Sequence, residues 1–76
     1  MDIKEFISNF ADLFEDTDVS EFKAETNFRD LDEWSSLIAL SVLSMVDEGY
    51  DVQLTANEMR QANTIQELFD VVSSKA

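Results

Sequence analysis

Two adjacent hydroxyls, Ser35 and Ser36, framed by Trp34 and Leu37, stand where this chain turns from polar to apolar. Before them runs Phe28-Arg29-Asp30-Leu31-Asp32-Glu33, and after them Leu37-Ile38-Ala39-Leu40, interrupted by Ser41 ahead of Val42 and Leu43. A serine directly ahead of an apolar periodic run marks a helix start, because its oxygen accepts from the unpaired first-turn N–H groups. Those N–H groups and the positive end of the helix dipole also favour a phosphate. Ser36 therefore reads either as a plain cap or as the anchor of a phosphate-linked group. For a lone serine, capping is the commoner role. With Ser35 as the cap, Ser36 would fall in the first turn and its hydroxyl would be free.

Other chemistries find less support. Histidine and cysteine are absent, which removes imidazole and thiol from any nucleophile–base pair. Carboxylates are abundant, yet none is singled out as a desolvated acid or base, so no catalytic role is expected. Asp16-x-Asp18-x-Ser20 resembles the opening of a calcium loop. The sixth position, where a turn glycine belongs, holds Glu21, and the twelfth, where a bidentate glutamate belongs, holds Asn27. No dedicated metal site is expected.

Seventeen acidic residues face five basic ones, Lys4, Lys23, Arg29, Arg60 and Lys75, for a formal charge of −12. Such a field repels nucleic acid and anionic lipid and attracts basic protein surfaces. The most apolar stretch, 37–46, covers half of the roughly 20 residues that a membrane-spanning helix needs. Met1-Asp2-Ile3-Lys4-Glu5 lacks the basic start and apolar core of a secretory signal. No membrane insertion and a cytoplasmic location are the expectations.

At 76 residues the chain has room for one domain, 1–76, that buries about 60% of its unfolded surface. Proline is absent and Gly49 is the only glycine, which favours helices. Ile3, Phe6, Ile7, Phe10, Leu13 and Phe14 recur at helical spacing and predict helix one at about residues 2–15. A long connection follows to Glu33, in which Val19, Phe22, Phe28 and Leu31 are isolated apolar anchors. Its length points to a functional loop or to a short helix within it. Helix two is predicted from about Ser36 to Glu48, with Leu37, Leu40, Leu43 and Val46 and their neighbours Val42 and Met45 on a wide apolar face and Gly49 as its stop. Two capping boxes, Thr55-Ala56-Asn57-Glu58 and Thr64-Ile65-Gln66-Glu67, open a short third helix to about Ala62 and a fourth helix. In the fourth, Ile65, Leu68, Phe69 and Val72 should face inward, and 73–76 should fray. The expected fold is all-α, a small four-helix bundle with one short member and a long loop between helices one and two.

From Phe28 onward the chain resembles the acyl carrier proteins. Phe28-Arg29-Asp30-Leu31 is similar to that family's F-x-[DE]-L element, and Trp34-Ser35-Ser36-Leu37 to its D-S-L attachment motif. Asp47-Glu48-Gly49-Tyr50-Asp51-Val52-Gln53-Leu54 resembles the end of the family's second helix and the loop beyond it. Asn63-Thr64-Ile65-Gln66-Glu67-Leu68 resembles the opening of its last helix. The resemblance implies a bundle of the acyl carrier type and a 4′-phosphopantetheine arm on Ser36, with Ser35 the less favoured acceptor. It implies that acyl groups ride on the arm as thioesters in fatty acid or related biosynthesis, without chemistry by the protein itself. A phosphopantetheinyl transferase and acyl-transferring or acyl-elongating enzymes with basic patches would be the partners, met by a monomer through Leu37, Ser41, Asp47 and Glu48. Two departures stand out: Ser35 replaces the family's aspartate, and Ile38, Ser41 and Ser44 replace residues that are often acidic or differently shaped. An acidic helical interaction module that has lost the modification is the alternative.

Overall fold

Asp2 starts the first helix by accepting a hydrogen bond from Lys4 N at 3.0 Å, so one orphan first-turn donor is satisfied. The computed structural model describes residues 2–76. Among them are four α-helices: α1 (Ile3–Ala11), α2 (Ser36–Tyr50), α3 (Ala56–Gln61) and α4 (Ile65–Lys75). An isolated bridge between Asn27 and Thr64 is the only β-type pairing in the described residues. The all-α, four-helix expectation therefore holds.

Helix α1 is shorter than its periodicity suggests. It stops at Ala11, and Leu13 N to Phe10 O (3.2 Å) and Phe14 N to Ala11 O (3.0 Å) continue it only as tightened turns. Phe14 thereby stays buried. The long connection contains two single-turn 3₁₀ helices, Val19–Glu21 and Phe28–Asp30, capped by Asp18 and Asn27. Glu33 staples the connection: its carboxylate accepts from Glu15 N (3.1 Å), Asp16 N (2.8 Å) and Thr17 Oγ1 (2.5 Å). The loop also serves α4, whose first N–H groups at Ile65 and Gln66 bond to Thr26 O and Ala24 O at 3.1 and 2.9 Å. Both predicted capping boxes form, at Thr55–Glu58 and Thr64–Glu67.

Phe6, Phe10, Phe28, Val42, Val46, Ile65, Leu68 and Val72 are fully buried. Phe10 is the hub, its ring lying 5.6–6.5 Å from those of Phe6, Phe14, Phe22, Phe28 and Trp34. Phe22 and Phe28 anchor the loop as expected and Leu31 does so in part, but Val19 is 70% exposed.

Helix α2 departs most from its reading. Its inward residues are Val42 and Val46, with Ile38, Ala39, Leu43 and Met45 half-buried, whereas Leu37 and Leu40 are 73% and 61% exposed. It also runs past Gly49 to Tyr50 and ends at Asp51, which takes the left-handed conformation, φ 56° and ψ 39°. Tyr50 draws the helix on: its hydroxyl accepts from Asn9 Nδ2 at 3.0 Å and its ring lies 5.7 Å from that of Phe6. Residues 73–75 are helical rather than frayed, because Lys75 Nζ reaches Gln53 O at 2.9 Å and Glu58 at 2.5 Å.

Candidate functional site

The two serines divide their roles at the start of α2. Ser35 is the cap, extended at φ −153° and ψ 171°, and its Oγ accepts from Ile38 N at 3.3 Å. Ser36 is the first helical residue and is exposed, and among the described residues its hydroxyl has no hydrogen-bond partner. Ala39 N is taken by Ser35 O at 3.0 Å, which leaves the N–H groups of Ser36 and Leu37 as the open donors of this turn. No acidic side chain stands in the turn. The result is a free hydroxyl beside a locally positive helix end.

Beside Ser36 lies a groove of about 580 Å³ between α2, α3 and the end of the loop. Trp34, Ala39, Leu40, Leu43 and Met59 give it apolar walls, while Arg29 and Arg60 stand at its edge. Trp34 is half-buried, 4.9 Å from the Phe28 ring. Arg29 is committed: it donates to Asn63 Oδ1 at 2.9 Å, to Met59 O at 2.8 Å and to Arg60 O, and its guanidinium stands 5.5 Å over the Phe28 ring. Arg60 has no ion-pair partner among the described residues. No carboxylate lines this groove, so the Ser36 oxygen has no side-chain base beside it. Any reaction of this hydroxyl would need a base from outside the groove.

The other residues expected to meet partners separate. Leu37, Ser41 and Glu48 line a second groove, of about 690 Å³, between α1 and α2, whereas Asp47 borders a depression against Gln53, Leu54 and Thr55. Ser41 Oγ donates back to Leu37 O at 3.2 Å, which occupies its hydroxyl within the helix. Met59 borders the groove at Ser36, and Met45 the one facing α1. Leu40 borders both, a placement that its position in an uninterrupted apolar run did not reveal. The roles of Arg29 and Lys75 were equally hidden, since their partners are 30 or more and 17 or more residues away.

Three carboxyls have lowered pKa values, all through hydrogen bonds. The Thr17 hydroxyl lowers Glu33, and the Ser20 backbone N–H lowers Asp18. Lys75 lowers Glu58 to about 2. None of these groups lines the groove at Ser36; they hold the loop and the short helix around it.

No protein-family model, curated protein or solved structure matches this chain. Among the described residues no helix is long and apolar enough to cross a membrane, and no cluster of three or more acidic side chains is placed to hold a metal ion.

Proposed function

We propose that this chain is an acyl or peptidyl carrier module that holds its cargo through a 4′-phosphopantetheine arm on Ser36. The observation that carries this reading is the division of labour at the helix start: Ser35 caps, so the Ser36 hydroxyl is exposed and unengaged. The residues present suit the group. The open N–H groups of Ser36 and Leu37 lie in the same helix turn as the Ser36 hydroxyl and would favour a phosphate there, Arg60 lines the same groove as a cation without an ion-pair partner among the described residues, and the absence of an acid in the first turn removes a repulsion. Trp34, Leu43 and Met59 offer apolar surface to the arm and its cargo. When bound, the arm supplies a terminal thiol for thioester exchange. The chain's own part is to present Ser36 and to dock on acyl-transferring enzymes.

Docking falls to α2 and the acidic field. Leu37 is an exposed apolar contact beside the attachment point, and Glu48 and Asp47 flank the far end of the helix on its two sides. Complementary charge speeds encounter more than it tightens the complex, which suits a carrier that must release each partner.

Treatment with coenzyme A and a phosphopantetheinyl transferase of broad specificity should raise the intact mass by one phosphopantetheine. Ser36→Ala should abolish the rise and Ser35→Ala should retain it. Modification that survives in Ser36→Ala but is lost in Ser35→Ala would move the attachment by one residue. A wild-type chain left wholly unmodified would make this an acidic interaction module instead.

A further inference from the structure

Arg29 and Arg60, two of only five basic residues in the chain, line the groove at Ser36, and none of the 17 acidic residues does. The fold achieves this by turning the nearest carboxylates elsewhere. Asp30, Asp32 and Glu33, which follow Arg29 in the sequence, line a separate depression with Asp16 and Glu21. Glu58, two residues before Arg60 on α3, bonds to Lys75 and to the backbone N–H of its own cap, Thr55. Arg29 donates only to neutral acceptors, Asn63 Oδ1 and the carbonyls of Met59 and Arg60. Among the described residues Lys75 and Glu58 form the only ion pair, so no carboxylate compensates either arginine.

A groove that keeps two uncompensated positive charges on a chain of charge −12 is suited to anions that the rest of the surface repels. The arm of the proposed function, on which this step rests, brings a phosphodiester with a single negative charge. One positive charge is left over, beside the apolar walls of Trp34, Leu43 and Met59. A plain hydrocarbon acyl group would leave that charge without a partner, and a cationic one would be repelled by it. An acyl group that is apolar along its length and anionic at its end would satisfy both the walls and the edge.

We propose that the groove at Ser36 selects acyl cargo that ends in a carboxylate, and that Arg60 is the residue that discriminates. With the arm folded back along the groove, the acyl carbons would rest on Leu43 and Met59 and the carboxylate would meet the exposed Arg60 guanidinium. Arg29, held by three acceptors, adds to the positive field but is not free to follow a ligand. An exposed ion pair gives only a few-fold preference. Tethering makes such a preference count, because attached cargo meets the groove at a millimolar effective concentration.

The test uses the full chain as Ser36→Ala, which cannot take the arm, and two free probes that share phosphate and pantetheine. One is S-hexanoyl-4′-phosphopantetheine; the other is S-adipoyl-4′-phosphopantetheine, of equal carbon count but ending in a carboxylate. Each is titrated into the labelled protein and followed by NMR at Trp34, Leu43, Met59 and Arg60. The adipoyl probe should bind about three- to fivefold more tightly, although the net charge of the chain works against it. Salt at about 0.5 M should erase the difference. Arg60→Gln should bring the two affinities together, and Arg60→Lys should keep most of the preference, since a point charge serves an exposed pair. Equal or weaker binding of the adipoyl probe, a preference that survives Arg60→Gln, shifts centred outside the groove, or no binding of either probe at millimolar concentration would overturn the proposal. The carrier reading is tested separately, by the mass of the transferase-treated wild type. A chain left unmodified there, with the adipoyl preference intact, would remove the tether and leave an anion-selective groove.

Discussion

Asp51 and Glu58 show how single side chains close helix ends without a glycine. Asp51 adopts the left-handed conformation that a β-carbon disfavours, and aspartate is among the few residues that tolerate it. Glu58 closes the capping box of α3 and receives Lys75 from the end of α4. Its carboxyl titrates near pH 2 in the folded state, below the ordinary glutamate value of 4.5, chiefly because Lys75 bonds to it. A depressed folded pKa stabilises the fold above the unfolded value, and that contribution disappears as pH falls from about 4.5 through about 2. Acid also relieves the repulsion among the 17 carboxylates, which acts in the opposite direction. Comparison with Glu58→Gln isolates the first effect. The variant should melt a few degrees lower at pH 7, no more for an exposed pair, and the difference should vanish near pH 2 in thermal scans.

Helix α3 is the element with the least support of its own. Six residues are too few for a stable helix in water, so its order comes from its surroundings. Met59 and Ala62 bury its inner side, Lys75 holds its N-terminal end, and Arg29 donates to the carbonyls of Met59 and Arg60 at its C-terminal end. Two of only five basic residues thus serve one short helix, in a chain rich in carboxylates they could have paired with. Because α3 forms a wall of the groove at Ser36, Arg29 sets how firmly that wall stands. Arg29→Ala should cost about 1.5–3 kcal/mol, the usual worth of hydrogen bonds from a charged group. Hydrogen exchange should show the loss locally, with amides 59–63 exchanging faster and those of 65–72 little changed. Arg29→Lys should rescue only part, since a single ammonium cannot reproduce the planar fork that serves three acceptors.

For the whole molecule, one aromatic cluster carries the fold. Phe10 contacts aromatic rings from α1, the loop and the approach to Ser35, so the loop and the first helix share one core. A domain of this size is stable by roughly 4–11 kcal/mol, at 0.05–0.15 kcal/mol per residue. Phe10→Ala should cost about 3–5 kcal/mol, a large part of that stability, measured by urea denaturation. Trp34 packs on the same cluster and lines the groove at Ser36, so its fluorescence should report both unfolding and occupancy of that groove.

The residues themselves determined the helical class, the two capping boxes, the aromatic core and the serine pair, because these depend on local spacing and on side-chain type. Helix α1 was legible in its period, although not in its end, where Glu33 takes the N–H groups beyond it. Helix α2 was legible in its start but not in its orientation. It is apolar on several sides, so periodicity could not tell that Val42 and Val46 face inward while Leu40 faces out. Tertiary structure alone decided that orientation, the extension past Gly49 to reach Asn9 and Phe6, and the two cationic ties on α3. Each depends on atoms far apart in the chain that meet only when the helices pack, and no local pattern records where such a partner will be.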